Sequence, residues 1–381
     1  AAGVDRIITA IDNKERIVVY GDYDVDGVTA TVLLVQLLQA YGAFVTPRIP
    51  LREHGYGLSS HAIDDLAADG TQLIITVDCG IRSLAEAKRA SEAGMDLLIT
   101  DHHDIGLALP EAAAVINPKR EDSKYPQTTL PGVAVAFKLA EALLHQRPPS
   151  SQDQGQVTKE SLLDLVALGT VADLAPLKGE NRELVRLGLK RINSRPRTGI
   201  DALIRVSGLR GKITAETIAF QLGPRLNAAG RLGDAMTSFH LLSSQSPEKA
   251  RSFAETLEKH NQDRRERTRT QTELALEMID DTDPLLLSAA HPEFHSGLVG
   301  LIASRLKEEK YRPAIIAQHN GSTTTGSARS IPEFNITAAL DKCKSLLTKY
   351  GGHNAAAGFT LETKNWEPFV ARMQELTATE L

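Results

Sequence analysis

The 381 residues carry 43 Lys and Arg against 48 Asp and Glu, a formal net charge of −5, so no global basic surplus advertises simple coating of a polyanion. Hydrophobic residues make up 42% of the chain, enough for two or three cores, and no apolar run approaches the roughly 20 residues needed to cross a bilayer. Two cysteines, Cys79 and Cys343, are too few for a disulfide framework or a four-thiolate zinc site; a cytoplasmic setting is expected, and any metal must be held by oxygen and nitrogen. The opening residues, AAGVDRIITA, show neither an initiating Met nor the basic, apolar and small-residue succession of a signal peptide, and a trimmed chain is expected.

Residues 17–145 alternate short apolar runs with helical patterns, the signature of a parallel sheet covered by helices. Ile17 to Tyr20 reads as a strand, Val28 to Ala40 as a buried helix and Phe44 to Ile49 as a second strand. Leu73 to Val77 and Leu97 to Thr100 repeat the theme, each run continuous rather than alternating, as strands buried on both faces require. Arg147 to Gln156 is a loop by composition, with helices expected over Ser161–Thr170 and Arg182–Ile192. Lys249 to Asp281 lacks Gly and Pro and reads as one long exposed helix, beyond which a smaller unit closes the chain. The expected class is α/β: a doubly wound, mostly parallel sheet domain over 1–245, a connecting helix over 246–282, and a second, smaller mixed α/β domain over 283–381.

Chemistry concentrates where the strands end. Gly21-Asp22-Tyr23-Asp24-Val25-Asp26-Gly27 follows the first strand, placing three carboxylates at alternate positions before a helix. They repel one another unless cations neutralise them. A calcium loop fails because no acid closes it at the twelfth position; a solvated turn remains open. The strand over 73–77 ends in Asp78-Cys79-Gly80 and the next in Asp101-His102-His103. A lone strand-end Asp is usually a helix cap, but three successive strands here deliver ligand-type side chains to one sheet edge. Asp173, in the apolar stretch Gly169 to Leu177, needs either an arginine partner or a cation. Carboxylates with imidazole suit Mn²⁺ or Mg²⁺, and two such ions indicate hydrolysis of a phosphoester or phosphoanhydride.

The segments GDYDVDG, VDCG, TDHH and GTVADLAPL resemble the four ordered motifs of the DHH phosphoesterases, and their wording is most similar to the RecJ-like exonucleases. The resemblance implies that Asp24, Asp26, Asp78, His102 and Asp173 hold two divalent ions with Asp78 bridging. It also implies that Asp22 and Asp101 support the site, while His103 contacts the scissile phosphate or assists its hydrolysis. The wider superfamily carries a histidine where Tyr20 stands, so fewer protein ligands are expected for the first ion.

Arg52, in Arg52-Glu53-His54-Gly55-Tyr56-Gly57-Leu58, is by the same resemblance expected on the 5′ phosphate; taken alone it is an ordinary surface arginine. Within Gly223 to Arg231, the side chains of Arg225, Asn227 and Arg231 could bind DNA, and could equally pair with Asp173 or brace the helix. The stretches around His295 to Gly300, Gly326 to Ser330 and Gly351 to Gly358 resemble the DHH-associated C-terminal domain. That likeness assigns Ser327 and Arg329 to the 5′ phosphate and His353 to nucleic-acid phosphate. Arg264, Arg265, Arg267 and Arg269, interspersed with Asp263 and Glu266, read more readily as a salt-bridged helix than as a phosphate groove.

The function implied is a metal-dependent 5′-to-3′ exonuclease that releases 5′-mononucleotides from single-stranded DNA in repair and recombination. A single-stranded-DNA-binding protein and a helicase are the partners implied, and a monomer is expected. Larger RecJ-like proteins continue into an OB-fold, and the present chain is expected to be a catalytic core. Alternatives are a phosphodiesterase for short oligonucleotides or cyclic dinucleotides, and a non-catalytic Cdc45-like replication scaffold; retention of the carboxylates and His102 argues against the scaffold.

Overall fold

Apolar runs with no polar alternation need cover on both sides, and the strands Arg16–Gly21, Leu73–Val77 and Asp96–Thr100 obtain it, whereas the edge strand Phe44–Arg48 is partly exposed. The computed structural model describes residues 1–52, 55, 57–148, 157–279 and 285–381. They fall into two units, Ala1–Asn261 and Gln262–Leu381.

In the first unit β1 (Arg16–Gly21), β2 (Phe44–Arg48), β3 (Leu73–Val77), β4 (Asp96–Thr100) and β5 (Ala114–Ile116) form an all-parallel sheet in the order β2-β1-β3-β4-β5. Helices α1 (Ala2–Asp12), α2 (Val25–Ala40), α3 (Ser60–Ala68), α4 (Leu84–Glu92), α5 (Gly132–Gln146) and α6 (Lys159–Ala172) cover it. Side chains alternate across the strands, so Ile17 and Val19 join the large core beneath α2, α5 and α6 while Val18 and Tyr20 join a smaller one with Ile63, Leu66, Ala87 and Ala90 of α3 and α4. Helix α2 is buried on nearly every residue, which explains its unbroken apolar run from Val32 to Val35. The expected doubly wound α/β class is observed.

The chain continues through α7 (Gly179–Ser194), α8 (Thr198–Val206), a single turn α9 (Ala215–Thr217), a π-helical turn (Ile218–Leu222), α10 (Gly223–Leu232), α11 (Met236–Ser243) and α12 (Pro247–Met278). Expected boundaries shift by a few residues: the helix expected over 161–170 runs Lys159–Ala172, and the long helix starts at Pro247, where a first-turn proline costs no hydrogen bond. Residues 149–156 of the expected loop, and Asp281 and the Asp283-Pro284 boundary, lie outside the described residues.

The second unit carries a mixed sheet, β6 (Leu287–His291), β7 (Ala314–Asn320), β8 (Thr323–Arg329), β9 (Lys349–His353) and β10 (Ala356–Glu362), in the order β6-β7-β8-β10-β9 with only β6 and β7 parallel. Helices α13 (Val299–Lys310), α14 (Ile336–Lys342) and α15 (Trp366–Glu380) accompany it. Phe334, Phe359, Phe369 and Met373 fill its core, and Gly326 must be glycine because a Cβ there would lie 2.3 Å from the Phe359 ring. None of the described helices is long and apolar enough to cross a membrane.

Candidate metal centre

Strand register brings the acids together. Gly21 pairs with Val77, and Val77 with Thr100, so the residues that follow, Asp22, Asp78 and Asp101, stand side by side at the carboxyl edge. Because β2 lies on one side of β1 and β3 on the other, the chain reverses direction across the sheet between β1 and β3, and ligands bind at such a crevice.

Each acid is held by backbone as well as by sequence. Asp24 caps α2, accepting from the Gly27 N–H at 3.1 Å, and Gly27 must be glycine since a Cβ would press within 2.5 Å of Asp22 carbonyl oxygen. Asp26, buried in the first turn of α2, accepts from the Gly132 and Val133 N–H groups at 2.6 and 2.8 Å, the amino end of α5. Asp78 adopts a left-handed φ of 61°, a conformation that aspartate tolerates better than most residues, while its own N–H donates to Thr100 carbonyl. Asp173 is the C-cap of α6.

Among the described residues three groups of ligand-type side chains converge: Asp78, His102 and His103; Asp26, His102 and Asp173; and Asp22, Asp24 and Asp78. His102 Nε2 lies 3.0 Å from Asp78 Oδ1 and 3.9 Å from Asp26 Oδ2, yet it makes no hydrogen bond among the described residues. Two donors at right angles about a small cation with bonds of ~2.1 Å would stand ~3.0 Å apart, so the near pair suits a shared ion. Asp22 Oδ1 is likewise buried with no hydrogen-bond partner among the described residues.

Electrostatics agree. Burial, and then the Asp24 charge, push the Asp22 carboxyl up to about 8; burial and the same neighbour push Asp173 up to about 7. Asp26 and Asp78 are driven well above the carboxylate range by burial and by one another's neighbours, led by Asp173 for Asp26 and by Asp26 for Asp78. Burial and the adjacent His103 lower His102 to about 3, keeping the imidazole neutral, the form that binds metal. Asp101 and His103 behave as an ion pair instead: burial opposes both charges, but the 2.7 Å contact between His103 Nδ1 and Asp101 Oδ1 holds the acid low and the imidazole high. Asp101 also accepts from the N–H groups of Ile81, His102 and His103, and so fixes the loop that carries the histidines. A buried acidic cluster of this density, with one neutral imidazole, fits divalent cations bound through oxygen and nitrogen.

Tyr20 is turned to the opposite face of the sheet. Its ring packs in the core beneath α3 and α4 and its hydroxyl donates to Gly57 carbonyl at 3.2 Å, so burial raises its pKa and it offers the cluster nothing. Asp22 follows the strand's last residue, Gly21, and groups with Asp24 and Asp78. No arginine pairs with Asp173 among the described residues; that alternative is not realised.

The expected substrate residues distribute unequally. Arg52 lies with its guanidinium 4.0 Å from the Tyr23 ring centroid and donates from Nε to Gly230 carbonyl at 2.9 Å; Glu53, His54 and Tyr56 lie outside the described residues. Arg225 is paired with Glu258, and Asn227 Oδ1 accepts from the Val25 N–H at 3.1 Å, so both brace the fold from within. Arg231 occupies the last turn of α10, where its charge acts on Tyr23. In the second unit Arg329 donates from Nη1 to Ser327 Oγ at 2.6 Å and to Ala328 carbonyl; burial lowers its pKa, and the guanidinium faces Gly300 near the start of α13. His353 ends β9. Arg267 and Arg269 pair with Asp263, Glu266 and Glu273, the salt-bridged helix anticipated from their spacing.

Sequence reasoning missed the supporting shell. Asn117, buried after β5, donates from Nδ2 to His103 carbonyl at 3.0 Å, and the Gly132-Val133 N–H pair that holds Asp26 carries no side-chain signature at all.

Residues 16–170 match the DHH family, N-terminal domain, and residues 282–379 match the DHHA1 domain. The chain is 41% identical over 383 residues to the single-stranded-DNA-specific exonuclease RecJ of Bacillus subtilis, covering 99% of this chain and 47% of that protein. It is 40% identical to the same-named protein of Salmonella typhimurium, covering 98% of this chain and 69% of the relative. The chain belongs to the RecJ family. RecJ from Thermus thermophilus in complex with Mn²⁺ aligns with a TM-score of 0.87 at 33% identity, covering 99% of this chain and 54% of that one; in complex with Mg²⁺ it aligns at 0.78. Against the Bacillus relative the chain spans about half the length of a RecJ protein.

Proposed function

We propose that this chain hydrolyses the phosphodiester bonds of single-stranded DNA from the 5′ end, releasing 5′-mononucleotides, in repair and recombination. The supporting observation is the convergence of Asp22, Asp24, Asp26, Asp78, His102 and Asp173 at the crevice between β1 and β3, where buried carboxylates retain protons that cations would displace. Mn²⁺ or Mg²⁺ is the cofactor, as the ions carried by the Thermus relative suggest. Two such ions supply activation of water and neutralisation of phosphate charge. Asp24, Asp26, Asp78, His102 and Asp173 would hold them, Asp78 and His102 each belonging to two of the three ligand groups, and Asp22 supports the site. Asp101 orients His103 and raises its pKa, so that the imidazole can face the phosphate.

Arg52 in the first unit, and Ser327 and Arg329 in the second, are each a binding group for substrate phosphate, Arg329 being a buried guanidinium whose hydrogen bonds go to neutral oxygens. His353 and Arg231 add contacts along the strand. Residues 1–245 are the catalytic domain, residues 246–282 the connector, and residues 283–381 the substrate-binding domain. A monomer acting in the cytoplasm, alongside a single-stranded-DNA-binding protein and a helicase, completes the reading.

The test is Mn²⁺-dependent digestion of end-labelled single-stranded DNA, duplex DNA, short RNA and a cyclic dinucleotide, alongside Asp78→Ala. Mononucleotides from the 5′ end of single-stranded DNA, abolished in the variant, are expected. Cleavage confined to short or cyclic substrates refutes the substrate assignment, and no metal binding refutes the enzyme.

A further inference from the structure

Three segments far apart in the chain meet around one arginine. Arg52 lies with its guanidinium carbon 4.0 Å from the centroid of the Tyr23 ring and donates from Nε to the Gly230 carbonyl, across 178 residues of sequence. Gly230 is itself pressed to the metal-bearing loop, since a Cβ there would come within 2.5 Å of Tyr23 carbonyl oxygen. The circuit is closed: Tyr23 offers a π-face, Gly230 an oxygen, and the two are fixed against each other. Tyr23 packs against the large core and stands between Asp22 and Asp24, yet it belongs to none of the three ligand groups. Coulomb attraction alone would draw the guanidinium to the acids. Its charge opposes the rise that burial and then Asp24 impose on the Asp22 carboxyl, so it lies within electrostatic reach of that acid, but no hydrogen bond joins the two among the described residues.

We propose that Tyr23 is a positioning residue for Arg52: its ring holds the guanidinium by a cation–π contact, off the neighbouring acids and ready for substrate phosphate. The inference rests on the assignment of Arg52 to substrate phosphate made above. A guanidinium that gives its face to a ring and its Nε to a carbonyl keeps its two terminal nitrogens, the fork that matches a pair of phosphate oxygens. A free arginine side chain loses rotamer entropy when it captures a ligand, and fixing it beforehand removes that cost from binding. An aliphatic side chain at the same position would fill the space without supplying the π-face.

The test is kcat and KM on a 5′-phosphorylated single strand at saturating Mn²⁺, for wild type, Tyr23→Phe, Tyr23→Leu, Arg52→Gln and the double variant Tyr23→Leu with Arg52→Gln. Loss of a partly buried cation–π contact worth about 1–2 kcal/mol, at 1.4 kcal/mol per tenfold, lowers kcat/KM by roughly 5- to 30-fold in Tyr23→Leu, chiefly through KM. Tyr23→Phe keeps the π-face and should stay within about twofold of wild type. In the Arg52→Gln background Tyr23→Leu should bring no further loss, because the arginine it positions is gone. A Tyr23→Leu variant within about twofold of wild type overturns the proposal, and so does a deficit of equal size in both backgrounds, the mark of a ring that only supports the metal loop. Should Tyr23→Leu not fold, Tyr23→Met, a flexible apolar side chain without a π-face, carries the same comparison. If Arg52→Gln matches wild type, the assignment of Arg52 to phosphate falls and the positioning role with it, while metal-dependent hydrolysis stands. If wild type itself cleaves nothing, the phosphodiesterase reading falls and takes both with it.

Discussion

Gly132→Ala tests whether the amino end of α5 shapes the metal centre. A Cβ at this position would lie 2.6 Å from both the Cβ and Oδ1 of Asp78, where non-bonded carbon atoms ordinarily stop near 3.5–4.0 Å. Neither side yields easily. Asp78 is held at φ 61° with its N–H on Thr100 carbonyl, and the Gly132 N–H is tied to Asp26 at 2.6 Å. The carboxylate must therefore move by about 1 Å. Displacement of that size costs on the order of 100-fold in rate, and overpacking costs about 1–3 kcal/mol of stability. Calorimetric Mn²⁺ titration and kcat/KM on single-stranded DNA are the measurements, with Ala134→Gly, a destabilising change in the same helix that spares Asp78, as control. Metal affinity and activity should collapse in Gly132→Ala and survive in Ala134→Gly. If Gly132→Ala keeps both within about twofold of wild type, the close approach does not constrain the site.

Stability should depend on pH in a direction set by the buried acids. In the metal-free protein Asp22 and Asp173, raised to about 8 and about 7, hold protons that the unfolded chain releases near pH 4, so folding binds protons and stability falls as pH rises from 6.5 to 8. His102, lowered to about 3, acts with the opposite sign only below about 6.5. Scanning calorimetry in chelator should give a lower Tm at pH 8 than at pH 6.5, and saturating Mn²⁺ should erase the difference; a chelated Tm that rises over this window contradicts the assignment. Asn227→Ala removes the acceptor for Val25 N–H at the start of α2. A loss of about 1 kcal/mol, with Tm lower by roughly 2–4 °C and weakened Mn²⁺ binding, is expected; unchanged Mn²⁺ affinity would show that the brace does not reach the metal loop.

Amino-acid order by itself determined the strands of the first sheet and the residues at their ends, because continuous apolar runs closed by Asp or His are local signals that need no partner to be read. It also determined the four motifs that carry the family likeness. Only the tertiary structure decided which side chains share an ion. Strand register aligns Gly21, Val77 and Thr100, and a period of two sends Tyr20 to one face of the sheet while the loop after Gly21 carries Asp22 into the cluster. Arg225 and Asn227 were ambiguous for the same reason: an arginine or amide has the same appearance in sequence whether it meets DNA or Glu258 and the Val25 backbone, over 33 and 202 residues of separation. The N–H groups of Gly132 and Val133 that hold Asp26 belong to the backbone, which every residue carries alike, so only folding reveals them.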